Sequence, residues 1–247
     1  MINVTVWNEN LHEKDPRYSP VMDVIYPKGI HGTITDFLNK DPQIKAQGVT
    51  LDMPSQGLTD EVLENTDVLF WWGHMGHNLV EDELVEKIFQ RVLSGMGLVC
   101  LHSAHMSKIF KKLMGTSCAL RWRETEQDRE RVWTVDYSHP IADGLPDYFE
   151  IPHTEMYGEV FCVPQPDDIV FISWYAGGEV FRSGITYQRG KGKIFYFSPG
   201  HETYPIYNQP EIQQILTNAA KWAAPAKNNI FSMVKCIGMA ESPEFKK

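Results

Sequence analysis

The sequence has few cysteines and no pairing pattern among them. Cys100, Cys118, Cys162 and Cys236 are scattered over 247 residues, and no Cys-x-x-Cys pair occurs. We therefore expect neither a disulfide framework nor a cysteine-rich zinc ribbon. A reducing, cytoplasmic environment is the expectation that follows.

Positive charge and long apolar runs are also scarce. Lysine and arginine together number 23 against 32 acidic residues, which gives a formal net charge of −9. This balance argues against a protein that holds nucleic acid by bulk attraction. No segment approaches the roughly 20 apolar residues of a membrane span, and residues 1–10 lack the regions of a signal peptide. We expect neither nucleic acid nor a membrane as a partner.

Short apolar runs alternate with helix-like segments in the first half. The predicted strands are residues 2–7, 49–53, 68–72 and 98–101. Uninterrupted apolar runs of this length suit strands that are buried on both faces of a parallel sheet. Residues 81–94 have apolar side chains at helical spacing, and a helix between two such strands predicts a βαβ crossover. The first half is therefore α/β.

The second half is richer in turns. We predict strands at residues 169–175, 183–188 and 193–197, with a hairpin turn between the last two, and a closing helix over residues 209–223. Residues 121–131 stay open between loop and helix. We treat residues 1–224 as a single domain, and the tail 225–247 packs either on that domain or on a neighbouring subunit.

The glycines and lysine of the predicted hairpin turn do not form a phosphate-binding loop. Gly190, Lys191 and Gly192 lack the Walker spacing and precede a strand, where a phosphate loop would precede a helix. We expect no nucleotide cofactor.

Histidines follow several predicted strands at the point where each strand ends. His12 follows the first strand, His74 and His77 the third, His102 the fourth, and His201 the last. Ligands of an open parallel sheet bind beyond the carboxyl ends of its strands. Five of the nine histidines of the chain are therefore predicted where such a sheet binds its ligand.

The strand end at His102 and Ser103 is the sharpest of these features. A strand that turns abruptly into a helix can present a nucleophile, and Ser103 is one candidate, with His102, His105 or His201 as its base. The alternative is that Ser103 caps the following helix. Cys100 lies inside the apolar run and is interpreted as a buried, inert thiol.

A metal site at the same rim is a further possibility. The candidate ligands are His74, His77, His102 and His201, and Glu155 or Glu202 could add an oxygen. Imidazole and carboxylate ligands suit zinc or another divalent metal. Because no His-Glu-x-x-His motif occurs, imidazoles that hydrogen-bond a polar ligand remain the alternative.

Two more segments carry groups suited to substrate binding. Glu155 and Tyr157 offer a carboxylate and a phenol for acid–base work or for recognition of sugar hydroxyls, although a plain surface turn is equally compatible. Arg182 could bind an anion or pair with a structural acid. Trp72 and other tryptophans of the rim could stack on a sugar or pack in the core.

An ordered set of short motifs resembles the trehalose-utilisation (ThuA-like) family. The set comprises Val99-Cys100-Leu101-His102-Ser103-Ala104, Glu155-Met156-Tyr157 and the run from Gly192 to Glu202 that contains Ser198-Pro199-Gly200-His201. The resemblance covers about residues 1–224. It implies a flavodoxin-like three-layer α/β sandwich with a mostly parallel central sheet, as in class I glutamine amidotransferases.

The resemblance also implies an activity. We expect a carbohydrate-active enzyme of the hydrolase or lyase type that acts on a sugar or 3-keto-disaccharide, with a partner dehydrogenase and a homo-oligomeric state. The proposed catalytic residues are His102, His201, Glu155 and Tyr157, and the proposed substrate-binding residues are Trp72, Ser103, Arg182 and Glu202. Two alternatives stay open. One is a non-catalytic sugar-binding or scaffold protein that serves the dehydrogenase, and the other is a serine or cysteine hydrolase.

Glutamine hydrolysis is not expected in spite of the shared fold. Class I glutaminases have a Gly-x-Cys-x-Gly segment and a later His-x-Glu. Here Leu98 and His102 stand where the two glycines would flank Cys100, and Glu202 follows His201 directly.

Overall fold

The computed structural model describes residues 1–125 and 128–225. The strands in these residues are β1 (Ile2–Asn8), β2 (Ile44–Thr50), β3 (Val68–Trp72), β4 (Gly97–Leu101), β5 (Arg121–Glu124), β6 (Glu130–Thr134), β7 (Tyr148–Ile151), β8 (Glu155–Gly158), β9 (Asp168–Tyr175), β10 (Val180–Arg189) and β11 (Gly192–Phe197). Nine of them form one sheet in the order β2-β1-β3-β4-β11-β10-β9-β6-β7, while β5 and β8 form a separate pair.

Helices cover both faces of the large sheet. The α-helices of the described residues are α1 (Ser19–Ile25), α2 (Gly29–Leu38), α3 (Asp60–Asn65), α4 (Asp82–Ser94), α5 (Lys108–Met114) and α6 (Pro210–Ala223). Side chains of α1, α2 and α6 belong to one buried core, and those of α3, α4 and α5 belong to the other. Strand β3 alternates between the cores, with Phe70 in the first and Leu69 in the second. The predicted three-layer α/β fold is confirmed.

The direction of the strands determines where ligands can bind. Strands β2, β1, β3, β4 and β11 run parallel to one another, so their carboxyl ends lie at the same edge. Strands β10, β9, β6 and β7 continue the sheet in antiparallel pairs. The loops that follow the parallel strands therefore meet at one rim.

Helix α4 shows how local sequence signals set an element. Its apolar residues Leu84, Val85, Ile88 and Val92 are buried on one side. The helix ends at Ser94, and Gly95 follows with a φ of 127°. Glycine adopts this backbone conformation without the steric penalty that a Cβ atom brings, so the predicted helix stop is realised.

The sequence prediction for the second strand differs from the structure. We expected residues 49–53, whereas β2 runs from Ile44 to Thr50. Strand β2 is the edge of the sheet, and its exposed positions alternate with less exposed ones over its first half. An edge strand is only partly covered, so β2 can include polar residues such as Lys45 and Gln47. It therefore lacks the continuous apolar run that indicates a buried strand.

Residues 121–131, which the sequence left open between loop and helix, contribute two strands. Strand β5 pairs with β8 above the rim, whereas β6 joins the large sheet. The predicted hairpin between β10 and β11 is present, as is the closing helix α6. All but the first residue of the predicted tail 225–247 lies outside the described residues.

Among the described helices, none combines the length and the apolar character that crossing a bilayer requires.

Candidate active site

Four neighbouring strands bring histidine and glutamate side chains to one rim of the sheet, beside a cavity. Glu9 and His12 follow β1, His74 follows β3, His102 follows β4, and His201 with Glu202 follows β11. The cavity has a volume of about 520 Å³, and its lining includes His74, His201 and Glu202. The predicted concentration of histidines at the rim is thus present in the structure.

His102 occupies the sharp turn at the end of β4. Its φ is 51°, a left-handed conformation that residues other than glycine rarely adopt. The Nδ1 atom lies 2.8 Å from the carbonyl oxygen of Ser198, and since a carbonyl only accepts, Nδ1 carries a proton. The opposite nitrogen, Nε2, lies 3.1 Å from Oε2 of Glu155. This nitrogen is therefore the one that can exchange a proton.

Glu155 and Tyr157 lie against His102 from strand β8. Burial by itself would raise the pKa of Glu155, but the facing His102 brings that pKa below its ordinary value. The phenol of Tyr157 is stacked on the His102 ring at 4.8 Å between centroids, and its oxygen is 3.3 Å from Nε2. Burial raises the pKa of Tyr157 well above the usual range, so the phenol is neutral. The arrangement couples a carboxylate, an imidazole and a phenol.

Ser103 contacts the same phenol. Its Oγ lies 2.9 Å from the hydroxyl of Tyr157. The predicted capping role falls to a different serine, because the side chain of Ser107 accepts a hydrogen bond from the backbone N–H of Phe110 at the start of α5. The turn from His102 to Met106 separates β4 from α5, which is why Ser103 is too early to cap that helix.

Glu202 is the centre of a second group of side chains. Its Oε1 atom lies 2.9 Å from Nε2 of His12 and 3.3 Å from Nδ1 of His74. Those two nitrogens are themselves 3.3 Å apart. The other carboxylate oxygen of Glu202 is buried and has no hydrogen-bond partner among the described residues. Three potential metal donors thus converge at a buried position.

The carboxylate of Glu9 contacts both the loop that contains His74 and the ring of His12. This carboxylate accepts hydrogen bonds from the backbone N–H groups of His74, Met75 and Gly76 at 2.8, 2.7 and 2.7 Å. Its Oε1 atom is also 3.6 Å from Nδ1 of His12. Burial alone would lower the pKa of His12, but the carboxylates of Glu202 and Glu9 raise it to about 9. The position between the two carboxylates therefore favours a positive charge.

His201 lies between the two groups. Its ring centroid is 5.5 Å from that of His102 and 6.2 Å from that of His74. Its Nδ1 accepts a hydrogen bond from the backbone N–H of Thr203, which leaves Nε2 pointing toward Glu124 at 3.6 Å and Glu202 at 3.8 Å. His102, His201 and Glu202 form a second set of donors close enough to share an ion.

Three residues with predicted site roles do not contribute to the groups around His102 and Glu202. Trp72 is fully buried, and its indole N–H donates to the carbonyl of Gly200, so neither ring face is open to a sugar. Arg182 donates to the Glu159 carboxylate, which corresponds to the structural pairing that the sequence left open. His77 lines the cavity but belongs to neither donor set, and burial lowers its pKa to about 4.

A family model described as ThuA, trehalose utilisation, matches residues 3–223. The chain belongs to the ThuA family. This membership agrees with the resemblance seen in the sequence motifs, and it covers every residue of the two groups around His102 and Glu202.

Solved structures share the fold of this ThuA-family chain at low sequence identity. A putative ThuA-like protein from Parabacteroides merdae is 16% identical with a TM-score of 0.66, covering 90% of this chain and 89% of its own. Cytoplasmic Protein STM3548 from Salmonella typhimurium is 15% identical with a TM-score of 0.59, covering 92% and 100%. PurLQS from Thermotoga maritima is 11% identical with a TM-score of 0.51, covering 90% and 98%. No curated protein matches the chain.

In this ThuA-family chain the turn after β4 presents the imidazole of His102, whereas the Cys100 thiol stays inside the strand. Cys100 lies within β4, two residues before the turn, and is fully buried. Burial raises the pKa of its thiol well above the ordinary value, which keeps it protonated and weakly nucleophilic. His102, and not Cys100, is therefore the residue that the turn after β4 presents to the site.

Sequence reasoning missed part of the site. The sequence places His12 at the rim but indicates no role for it, and it indicates none for Glu9. Glu124 and Trp122 lie in a segment without a clear secondary-structure signal. Alternation along residues 121–124 was the signal available, since positions two apart share one side of a strand.

Proposed function

We propose that this ThuA-family protein is an enzyme that cleaves a 3-keto-disaccharide with the help of a bound divalent metal ion, zinc being the candidate. The family description, trehalose utilisation, supports a disaccharide. A cavity of about 520 Å³ with ionisable groups at its floor supports a small polar substrate. We also propose a cytoplasmic homo-oligomer that receives its keto-sugar from a partner dehydrogenase.

The proposal of a metal ion rests on the triangle formed by Nε2 of His12, Nδ1 of His74 and Oε1 of Glu202. Its edges are 2.9, 3.3 and 3.3 Å. Zinc binds nitrogen and oxygen at about 2.0–2.1 Å in tetrahedral geometry, for which neighbouring donors lie about 3.3 Å apart. The spacing of the three donor atoms therefore fits a shared zinc ion, which His12, His74 and Glu202 would hold. Glu9 beside His12 provides the carboxylate that commonly orients a metal-bound imidazole.

The side chains around His102 supply the acid–base chemistry. A ketone at C3 of a sugar makes the C2–H bond acidic, and Nε2 of His102 is positioned to take that proton. The C–H electron pair forms a C1–C2 double bond as the glycosidic C1–O bond breaks, and the imidazolium returns the proton to the departing sugar oxygen. Glu155 stabilises the imidazolium at 3.1 Å. A bound metal ion would polarise the ketone oxygen.

The test combines elemental analysis with a turnover assay on 3-keto-trehalose. We expect about one zinc per chain in the native protein, and loss of both zinc and turnover in His74→Ala because one donor of the triangle is missing. Glu155→Gln should keep the zinc but lower kcat by about 10²–10⁴-fold, as expected when acid–base assistance is removed.

His77→Ala is the matched control. His77 lines the same cavity without belonging to a donor set, so both zinc and turnover should persist. Sugar binding without product in the zinc-loaded native protein would contradict the enzymatic proposal and indicate a binding protein. Zinc that stays in His74→Ala would contradict the assignment of the metal position.

A further inference from the structure

Trp122 is an exposed tryptophan at the mouth of the cavity that contains His74 and Glu202. It lies on β5, its side chain is 67% exposed, and it contributes to the cavity wall. Tryptophan is enriched at binding surfaces, because its ring offers a large apolar face and its N–H a polar contact. The position of Trp122 on the cavity wall, with most of its surface open to water, makes it a candidate for contact with a ligand.

The register of the β5–β8 pair shows which way Trp122 faces. Trp122 is opposite Tyr157, and Glu124 is opposite Glu155. Positions 122 and 124 lie on the same side of the strand because side chains alternate along it. Glu124 reaches to 3.6 Å from Nε2 of His201, so this side of β5 faces the cavity. The indole is thus presented toward the same space as the catalytic carboxylate of Glu155.

Other tryptophans of the rim offer no such surface. Trp7 and Trp71 are stacked on each other at 3.8 Å in the core, and Trp72 is fully buried. Trp133 and Trp174 lie on the strands that continue the large sheet and flank the guanidinium of Arg131. Trp122 is the tryptophan that lines this cavity within the described residues.

The chemistry of the wall around Trp122 matches one face of a sugar ring. Tyr18, Met106 and Leu120 line the cavity together with the indole, whereas Glu155 and His201 lie at its floor. A pyranose has an apolar C–H face and a rim of hydroxyl groups. The face of an indole carries partial negative charge that attracts C–H groups, and carboxylates accept hydrogen bonds from hydroxyls.

We propose that Trp122 is the stacking platform for the second ring of a disaccharide, the ring that departs from the reacting sugar. This inference rests on the proposed function and names a specificity residue for it. The difference in depth supports the assignment: His102 and Glu155 are 1% and 7% exposed, whereas Trp122 is 67% exposed. When the reacting ring lies deep in the site beside His102 and Glu155, the departing ring lies nearer the opening, beside the indole of Trp122.

The experiment compares Trp122→Ala, Trp122→Leu and Trp122→Phe, each combined with Glu155→Gln to suppress turnover, by calorimetric titration with 3-keto-trehalose and with 3-keto-glucose. Trp122→Ala and Trp122→Leu should weaken disaccharide binding about tenfold, which corresponds to about 1.4 kcal/mol. Trp122→Phe should retain most of the affinity, because it keeps an aromatic face. Binding of the monosaccharide should change little, and in turnover assays KM should rise while kcat is preserved.

Trp133→Ala is the control for loss of an exposed indole, and zinc content verifies that the site is intact. Equal disaccharide affinity in the native protein and Trp122→Ala would overturn the proposal while leaving the proposed function in place. Equal weakening for mono- and disaccharide would overturn the assignment to the second ring. A native protein that binds zinc but neither sugar would overturn both. A changed oligomeric state of Trp122→Ala with unchanged sugar affinity would identify the indole as a subunit contact.

Discussion

At the scale of single residues, two histidines of the site differ in the nitrogen that carries the proton. His102 donates through Nδ1 to a backbone carbonyl, which leaves Nε2 free to accept a proton. His201 accepts at Nδ1 from a backbone N–H, so the proton of its neutral ring is on Nε2. A metal ion bound to Nε2 of His201 would have to displace that proton. An ion in the triangle of His12, His74 and Glu202 would likewise displace the proton that His12 holds between Glu202 and Glu9, so the proposed metal position rests on its donor distances.

Glu130, the first residue of β6, is a buried carboxyl whose pKa is raised, whereas the pKa of the buried Glu155 is lowered. Glu130 is 0% exposed and accepts hydrogen bonds from Ser173 and Thr154. Burial raises its pKa to about 7, and these hydrogen bonds only partly oppose the effect. No basic side chain is among the groups that shift it. The neutral acid is therefore the form that the folded protein favours.

We predict that Glu130 makes the protein less stable as the pH rises. Its pKa is raised from 4.5 in the unfolded chain to about 7 in the folded protein. The folded state consequently binds more protons in this window, and stability present below pH 4.5 is lost as the pH approaches 7. Glu130→Gln should remove this dependence, so that denaturant unfolding at pH 5 and pH 8 shows a gain for the variant at pH 8, on the order of 2–3 kcal/mol.

Glu124→Gln provides the comparison, because Glu124 is nearly half exposed and its burial cost is smaller. An unfolding free energy of Glu130→Gln that varies with pH as in the native protein would contradict the prediction.

At the scale of elements, the turn between β4 and α5 separates two serines with different roles. Ser103 lies inside the short helical turn from His102 to Met106, whereas Ser107 follows it and caps α5. The five-residue turn thus separates the strand end at Leu101 from the helix cap at Ser107. This spacing allows the elbow to present His102 while the helix still begins with a satisfied N–H group.

We predict that Ser107→Ala lowers the free energy of unfolding by about 1 kcal/mol, because it removes the hydrogen bond that Phe110 donates to the cap. Equilibrium unfolding in urea measures this change. The control is Ser94→Ala at the last residue of α4, for which we expect a change within about 0.5 kcal/mol. Similar values for both variants would argue against the capping role of Ser107.

At the scale of the whole molecule, the three donors proposed for the metal ion come from segments that are far apart in the chain. His12, His74 and Glu202 follow β1, β3 and β11, and β4 lies between the last two strands in the sheet. An ion held by all three would connect β1 with β11, which lies three strands away in the sheet. The unfolded chain cannot present these donors together, so binding couples to folding.

We therefore predict that zinc raises the thermal stability of the native protein. Free zinc at about 100 times its dissociation constant should stabilise the fold by about 2.7 kcal/mol. For a chain of this size that corresponds to a rise in Tm of roughly 5–10 °C in calorimetry. A chelator should reverse the increase, and His74→Ala should show none. An equal increase in His74→Ala would indicate zinc binding elsewhere.

The sequence by itself determined the layers of this protein and the edge of the sheet at which its candidate site lies. Apolar runs such as residues 68–72 and 98–101 can be satisfied only inside a sheet covered on both faces, and the residues after them are then brought to one rim. The concentration of histidines at that rim follows from chain direction alone. Strand β2 was shifted in the prediction because an edge strand lacks the apolar signal.

Only the tertiary structure decided which of those side chains work together. The contact of Glu202 with His12, the pairing of Trp122 with Tyr157, and the burial of Trp72 depend on where separate loops meet. Distances between donors and the exposure of an indole are set by packing across the sheet, and no local pattern in the chain encodes them. Residue types and strand ends identify a site, whereas three-dimensional contacts assign the roles within it.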